Sequence, residues 1–186
     1  MVTLGILSDT HVPDRVPSLG SPVCSIFREA QVDAILHAGD ICTKSVLAQL
    51  QEVAPVYAVR GNRDWPRIHD LPAALTLNFE GITVGMIHGH GSLEVYLLDK
   101  LRTLAEGTRP ERYLRRALNA FPQARVVIYG HTHIPMQRWI DGRLCFNPGS
   151  AACPDDKAPA PSVGLLRIQA GGVVDAEIIY FTFSNS

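Results

Sequence analysis

Most of the histidines in this chain lie in short polar clusters together with aspartate or with another histidine. Six of the seven histidines do so, in Asp9-Thr10-His11, His37-Ala38-Gly39-Asp40, His88-Gly89-His90 and Gly130-His131-Thr132-His133. Imidazole and carboxylate ligands together suit Mn, Fe, Zn or Ni. A single histidine at the end of a strand is more often a capping or hydrogen-bonding residue. It is therefore the set of clusters, rather than any one member, that indicates a metal site.

The first half of the chain predicts parallel strands that end at these clusters. Val2 to Leu7, Ala34 to Leu36 and Val56 to Val59 are short apolar runs typical of buried strands. Helical segments separate them, so the order is β-α-β-α-β, which implies parallel strands with right-handed crossovers. Ligands of such sheets bind beyond the carboxyl ends of the strands. The pattern therefore places the polar clusters along one edge.

The second half predicts hairpins and two helices. Hairpins are expected over residues 74–87, 136–146 and 163–181, with a further strand at 125–129 and helices at 93–105 and 111–121. One face of the first helix is expected to join the core, and consists of Tyr96, Leu97, Lys100, Leu101 and Leu104. Residues 153–161 are rich in Pro, Asp and Ala and predict a mobile loop.

Composition restricts the class of protein. A chain of 186 residues suits one domain, which we expect to span residues 1–186. A net charge of −1 argues against binding of long nucleic acid, although Arg109, Arg112, Arg115 and Arg116 leave a local basic patch open. No apolar stretch approaches the roughly 20 residues that span a bilayer. The four cysteines form no C-x-x-C pair. We therefore expect a cytoplasmic protein with reduced thiols and no membrane contact.

Five motifs occur in the order D-x-H, G-D, G-N, G-x-H and G-H-x-H, from Asp9 to His133. This order resembles the calcineurin-like metallophosphoesterases, and in particular their small single-domain branch, which Asn147-Pro148-Gly149-Ser150 also marks. The resemblance implies an α/β fold with two facing mixed β-sheets flanked by helices, a four-layer αββα sandwich. It also implies hydrolysis of a small phosphate ester, most naturally a diester, by hydroxide formed from water at a two-metal site.

The resemblance further implies the role of each ligand. Asp9, His11 and His133 would hold one divalent transition-metal ion, and Asn62, His88 and His131 would hold the other. Asp40 would bridge the pair and reduce the repulsion between two dications about 3.5–4 Å apart. Mn is favoured, with Fe, Zn or Ni as alternatives, because the same ligands accept several first-row ions. The oligomeric state is left open, with a homo-oligomer as one option.

One position departs from the family pattern. Many members carry histidine directly after the metal-binding asparagine, where it can protonate the leaving group, whereas this chain has Arg63. Arginine stays protonated and is a poor proton donor, but it binds phosphate oxygens well. We therefore expect Arg63 to bind substrate, with a solvated arginine as the alternative. We expect His90 to hydrogen-bond beside the metal ligands and His37 to be structural. Asp64 is expected to brace the Asn62 loop.

The sequence leaves two alternative functions open, a protein-binding scaffold and a nuclease. The segments Cys42-Thr43-Lys44 and Ile87-His88-Gly89-His90 are similar to the metallophosphoesterase-like subunit of retromer, which serves as a protein-binding scaffold. The scaffold relatives have altered residues in the G-D and G-N motifs, so the presence of Asp40 and Asn62 favours catalysis. A nuclease is the third candidate, and the near-neutral charge and the arginine at position 63 argue against it.

Overall fold

The computed structural model describes residues 1–65, 67–107, 109–169, 172 and 174–183. Within these residues the strands are β1 (Val2–Leu7), β2 (Ala34–His37), β3 (Val56–Ala58), β4 (Ala74–Phe79), β5 (Ile82–Ile87), β6 (Val126–Tyr129), β7 (Met136–Ile140), β8 (Arg143–Asn147), β9 (Ser162–Ile168) and β10 (Val174–Tyr180). The helices are α1 (Ser21–Glu29), α2 (Lys44–Gln51), α3 (Leu93–Glu106) and α4 (Pro110–Ala120). None of these helices is long and apolar enough to cross a bilayer.

The strands form two mixed five-stranded sheets. The first has the order β10-β9-β1-β2-β3. Strands β1, β2 and β3 are parallel to one another, and β9 pairs antiparallel with both β1 and β10. The second has the order β4-β5-β6-β8-β7, in which β5, β6 and β8 are parallel. All three predicted hairpins are present, and residues 170, 171 and 173 of the last predicted hairpin lie outside the described residues.

The two sheets face each other across an apolar layer. Leu4 and Ile6 of β1 pack there against Val84, Val126 and Phe146 of the second sheet. Successive side chains of a strand point to opposite faces, so Leu7 joins a different cluster on the outer face of the first sheet. Helices α1 and α2 cover that face, and α4 covers the outer face of the second sheet. The expected four-layer αββα sandwich is confirmed.

The prediction that α3 contributes a core face was wrong. Leu97, Leu101 and Leu104 of that face are 54%, 65% and 87% exposed. The apolar spacing was read correctly as a helix, but α4 already occupies the outer face of the second sheet through Tyr113, Leu114 and Ala117. No sheet surface is left for the leucines of α3 to cover.

One buried carboxylate connects the loops that follow β2 and β3. The side chain of Asp64 accepts hydrogen bonds from the backbone N–H groups of Asp40 (3.0 Å), Ile41 (2.7 Å), Cys42 (2.7 Å) and Gly61 (2.7 Å). Both oxygens therefore accept two bonds each. These donors lie away from regular secondary structure, and a buried N–H without a partner is costly. Asp64 thus orders both loops, beyond the single loop expected from the sequence.

We predict that Asp64→Asn lowers the free energy of unfolding by about 3 kcal/mol, because the amide NH₂ would replace two charge-assisted bonds worth about 1.5 kcal/mol each. Urea denaturation followed by circular dichroism measures this change. The matched control is Asp70→Asn, because the Asp70 side chain is 57% exposed and pairs with Lys44 at the surface. Its effect should be under about 0.5 kcal/mol. An Asp64→Asn variant as stable as the control would contradict the bracing role.

Candidate metal centre

The loops after six parallel strands converge at one edge of the sandwich. Asp9, Asp40 and Asn62 follow β1, β2 and β3, while His88 and His131 follow β5 and β6, and Asn147 ends β8. The edge therefore receives polar side chains from both sheets. All seven predicted metal ligands lie within this cluster, although their order in the chain spans more than a hundred residues.

The side chains of Asp9, His11 and His133 form a first group of possible metal-binding atoms. Nε2 of His133 lies 3.1 Å from Nε2 of His11 and 3.3 Å from Oδ1 of Asp9. Nε2 of His11 lies 3.7 Å from the same Asp9 oxygen. Two ligands that bind one ion at about 2.1 Å each lie roughly 3 Å apart, so this spacing suits a shared ion.

A second group forms around His88. Its Nε2 lies 3.2 Å from Oδ1 of Asn62 and 3.3 Å from Nδ1 of His131. The same nitrogen lies 3.4 Å from Oδ1 of Asp40. The other Asp40 oxygen, Oδ2, lies 3.8 Å from Nε2 of His11 in the first group. Asp40 therefore presents one oxygen to each group, which is the geometry that a bridging carboxylate requires.

Asp9 carries a buried oxygen without a hydrogen-bond donor. The residue has no exposed surface, and its Oδ1 accepts no hydrogen bond from any residue that the structure describes. The other oxygen, Oδ2, accepts bonds from the hydroxyl of Ser8 (2.6 Å) and the backbone N–H of His131 (3.0 Å). The polar neighbours of Oδ1 include the Nε2 atoms of His133 (3.3 Å) and His11 (3.7 Å), and a buried carboxylate oxygen without a hydrogen bond is costly. A cation among Asp9, His11 and His133 would satisfy it, so the donor set fits a metal ion.

Hydrogen bonds orient two of the imidazoles. Nδ1 of His88 lies 2.7 Å from the carbonyl of Ala38, and Nδ1 of His133 lies 2.6 Å from the carbonyl of Cys153. A carbonyl only accepts, so each Nδ1 carries the proton and donates it. In the neutral ring the lone pair is then on Nε2, which faces the donor groups described above. Such outer hydrogen bonds are typical of metal-binding histidines.

Buried ion pairs join two of the histidines to the carboxylates. Burial opposes charge on His88, but Asp40 and Asp9 outweigh it and raise the pKa of His88 to about 9. Burial likewise opposes charge on His133, and Asp9 raises its pKa to about 11. Burial lowers the pKa of His131 to about 3, and His88 adds to this effect, so His131 is neutral. The carboxylates thus attract positive charge to the positions where cations would bind.

The ligand loops adopt an uncommon backbone conformation. Asp9, His11, Asp40, His131 and His133 all have φ between 49° and 71°. Only a few per cent of non-glycine residues lie in this left-handed region, and such residues cluster at functional sites. The loops approach each other so closely that Gly61 has no room for a Cβ, which would overlap Asp40. A side chain at position 61 would therefore push these two ligand loops apart.

The end of β8 and the segment that follows it form hydrogen bonds to two of these ligand loops. The side-chain amide of Asn147 donates to the carbonyl of Gly130 (3.0 Å) and to the hydroxyl of Thr132 (3.1 Å). The hydroxyl of Ser150 donates to the carbonyl of Asp9 (2.7 Å). Asn147 and Ser150 therefore position ligand loops. The sequence marked them only by resemblance, since neither is near those loops in the chain.

Arg63 and His90 are the two predicted site residues outside the set of metal ligands, and they occupy different parts of the site. The guanidinium of Arg63 lines the cleft and pairs with Asp14 at 3.1 Å, while its backbone N–H donates to Oδ1 of Asp40 at 2.8 Å. His90 lies beside the site, with its ring centroid 5.4 Å from that of His88. Burial, followed by the charge of His88, lowers the pKa of His90 to about 4, so the ring is neutral. Nδ1 of His90 is buried without a hydrogen-bond partner among the described residues, so the hydrogen bond expected there is not formed.

Other residues line the cleft that sequence reasoning did not assign to the site. The cleft has a volume of about 630 Å³ and opens above the donor groups. Tyr96, Lys100 and Leu104 of α3 form one wall, and Pro154 and Asp155 lie on another. The ring of Tyr113 packs on His131 with centroids 4.8 Å apart. No local pattern identifies these residues, because their positions depend on how α3 and the 153–161 segment fold back over the edge.

The comparisons with known proteins agree with this geometry. Residues 2–171 match the model of the calcineurin-like phosphoesterase superfamily domain. A probable metallophosphoesterase of Methanothermobacter thermautotrophicus is 39% identical over 176 residues, 95% of this chain and 91% of that protein. A phosphodiesterase of Methanocaldococcus jannaschii is 29% identical over 164 residues, 88% of this chain and 91% of that protein.

A solved structure shows the same fold at lower identity. Vps29 of Entamoeba histolytica, crystallised with zinc, is 23% identical and superposes with a TM-score of 0.66, covering 96% of this chain and 98% of that one. The family model and the 39% identical relative each cover most of the chain. The chain therefore belongs to the calcineurin-like phosphoesterase superfamily.

Proposed function

We propose that this chain is a phosphodiesterase that acts with two divalent metal ions. The ligands that the sequence predicted would hold the ions, namely Asp9, His11, Asp40, Asn62, His88, His131 and His133. The observation that carries the proposal is the position of Asp40, which presents Oδ2 to His11 and Oδ1 to His88. A carboxylate in that position serves two ions at once.

The protein supplies positioning and charge for the reaction. When bound, two dications would acidify a water and stabilise the charge of the phosphoryl oxygens. Asp9 and Asp40 contribute two negative charges, and the neutral oxygen of Asn62 adds none, so two dications leave the site with net positive charge. That charge favours an anionic substrate. The buried ligand loops hold the donors in place before substrate arrives, which reduces the reorganisation needed during reaction.

The shape of the cleft supports a diester. The cleft of about 630 Å³ is lined by α3 and by residues 154–156 as well as by ligand residues such as His11 and His131. Each ester arm of a diester could therefore lie along a wall while the phosphate stays over the metal ligands. The relative from M. jannaschii, which is 29% identical, is named a phosphodiesterase, and this also supports a diester substrate.

Arg63 is proposed to bind the substrate phosphate. Its side chain lines the cleft, and Asp14 raises its pKa further, so it stays protonated at every working pH. The pairing with Asp14 holds the guanidinium at the mouth of the cleft. Arginine at this position can stabilise charge but is a poor proton donor for the leaving group. We therefore propose that Arg63 contributes to phosphate binding rather than to proton transfer.

The chemistry of the donor atoms indicates which metals fit, and identity and net charge argue against the two competing functions. It consists of nitrogen and oxygen atoms, which suit Mn and Fe as well as Zn, and we propose Mn as the first ion to test. The scaffold alternative has less support, because the likeness to Vps29 at 23% identity shows the fold alone. A nuclease would need a larger basic surface than a chain of net charge −1 suggests.

We predict that the chain binds two Mn ions and that Asp40→Ala abolishes metal-dependent hydrolysis, because Asp40 is proposed to contact both. Elemental analysis after reconstitution should give two ions per wild-type chain and fewer than one for Asp40→Ala. Hydrolysis of aryl phosphodiesters and monoesters, at saturating Mn, should show turnover by the wild type with diesters preferred.

The matched control is His69→Ala, which removes an exposed histidine outside the site. It should keep two ions and wild-type turnover. Circular dichroism should show that Asp40→Ala stays folded. One ion in the wild type, or full activity in a folded Asp40→Ala variant, would contradict the bridging role. Turnover of monoesters alone would contradict the proposed diester specificity.

We predict that Arg63→Ala lowers kcat/KM for phosphodiesters by roughly 10- to 100-fold, about 1.5–3 kcal/mol for a hydrogen bond to a charged group. The loss should be similar for aryl esters with good and poor leaving groups, because no proton transfer is removed. Arg63→His should help most with poor leaving groups, since histidine donates a proton near neutral pH. Rates across esters of graded leaving-group pKa measure both effects.

Arg67→Ala is the matched control, because Arg67 pairs with the same Asp14 but does not line the cleft. Its rates should stay within about twofold of the wild type, as expected for a surface ion pair. If both variants lose activity equally, Arg63 acts through Asp14 rather than through substrate. If the penalty of Arg63→Ala grows steeply with leaving-group pKa, the arginine assists departure of the leaving group.

A further inference from the structure

Helix α3 exposes a row of leucines to solvent. Leu93, Leu97, Leu101 and Leu104 are 72%, 54%, 65% and 87% exposed. Their spacing of four, four and three residues places them on one face of the helix. Leu98 extends the row on one side and is 45% exposed. These five residues are called the leucine row below.

The opposite face of α3 is attached to the molecule through the ring of Tyr96 and through ion pairs of Asp99. Asp99 is the one buried residue among the 14 residues of α3, all of which the structure describes. Its carboxylate accepts hydrogen bonds from Arg116 (2.7 Å) and Arg112 (3.5 Å) of α4. Arg116 also donates to the carbonyl of Gly89 at 2.6 Å. Asp99 points away from the leucine row, so these contacts leave the row uncovered.

An apolar row of this size implies a partner. Five leucines this exposed present on the order of 500 Å² of apolar surface, in the range where patches on monomers are often functional. Helices of about 12–15 residues are marginal in water and gain most of their stability from packing an apolar face. The five leucines belong to none of the three hydrophobic clusters formed by the described residues. A partner on the row would provide that packing.

The charges beside the leucine row indicate which partner fits. Glu94, Leu98 and Arg102 follow one side of the row at intervals of four residues. If a second copy of α3 packs antiparallel about a two-fold axis at Leu98, each Glu94 lies opposite the partner's Arg102. The same axis brings Leu93 within about one residue of the level of the partner's Leu104, and Leu97 within about two residues of the level of the partner's Leu101. The row is therefore complementary to itself in both apolar contact and charge, as an isologous interface requires.

We propose that the leucine row is the centre of a two-fold interface between two copies of this chain, with the two α3 helices packed antiparallel. A standard interface buries about 800 Å² per partner, so polar residues around the row would complete it. Tyr96, Lys100 and Leu104 of α3 also line the cleft, so the dimer would place the two metal clefts beside one interface. This proposal rests on α3 itself and does not depend on the proposed activity.

Sedimentation velocity of the full chain, from about 1 to 100 µM, tests the proposal. The wild type should sediment as a dimer within this range. Leu97→Glu/Leu101→Glu should weaken dimerisation by about 100-fold or more, because it places charges at the centre of the interface. Both positions are exposed, and circular dichroism checks that the variant is folded. Glu29→Arg, on the exposed surface of α1, is the matched control and should leave the dimer intact.

A charge exchange tests the orientation. Glu94→Arg or Arg102→Glu alone should weaken the dimer by about tenfold, because like charges then face each other. The double variant Glu94→Arg/Arg102→Glu should restore dimerisation, whereas a local effect of Arg102 on Asp99, 4.0 Å away, would persist. A wild type that stays monomeric at 100 µM would overturn the proposal, as would a dimer that tolerates Leu97→Glu/Leu101→Glu. Failure of the double variant to restore dimerisation would overturn the antiparallel arrangement.

Discussion

The site depends on two carboxylates that are buried where the loops of both sheets meet. Asp9 and Asp40 are 0% and 2% exposed. A buried charge is strongly unfavourable unless positive groups and hydrogen-bond donors surround it. His88 and His133 lie against these carboxylates, which raise the pKa of both imidazoles despite their burial. The arrangement of the histidines follows from this need, because each carboxylate must be compensated from several directions at once.

Backbone strain and close packing follow from the same requirement. Five of the seven ligands have positive φ, a conformation that L-residues adopt at some cost. That cost is offset by fixed hydrogen bonds to the loops, from Asp64 on one side and from Asn147 and Ser150 on the other. The side chains of Asp64, Asn147 and Ser150 are not among the proposed metal ligands. They keep the ligand loops in one conformation, so the donor atoms are positioned before a cation or substrate arrives.

The molecule separates a rigid site from an exposed helix. The ligand loops continue strands that are buried between two sheets, whereas α3 contacts the body through the Asp99 carboxylate and leaves its leucines in solvent. This difference gives the cleft one side made of buried loops and one wall attached through the ion pairs of Asp99 and the ring of Tyr96. The position of Lys100 and Leu104 on both the wall and the exposed helix connects the cleft with that outer surface.

The sequence by itself determined the strands, their order and the set of candidate ligands. These features depend on local patterns, since an apolar run followed by Asp9 or Asp40 indicates a strand end without knowledge of distant residues. The order of the five motifs then placed the chain in its superfamily. Tertiary structure decided what depends on contacts between distant segments. Asp64 forms hydrogen bonds to two loops, and Asp40 faces both groups of metal-binding atoms. Leu97 and Leu101 are exposed. All three features depend on which surfaces meet in space. The periodicity of α3 predicted an apolar face but could not show that α4 had already covered the sheet.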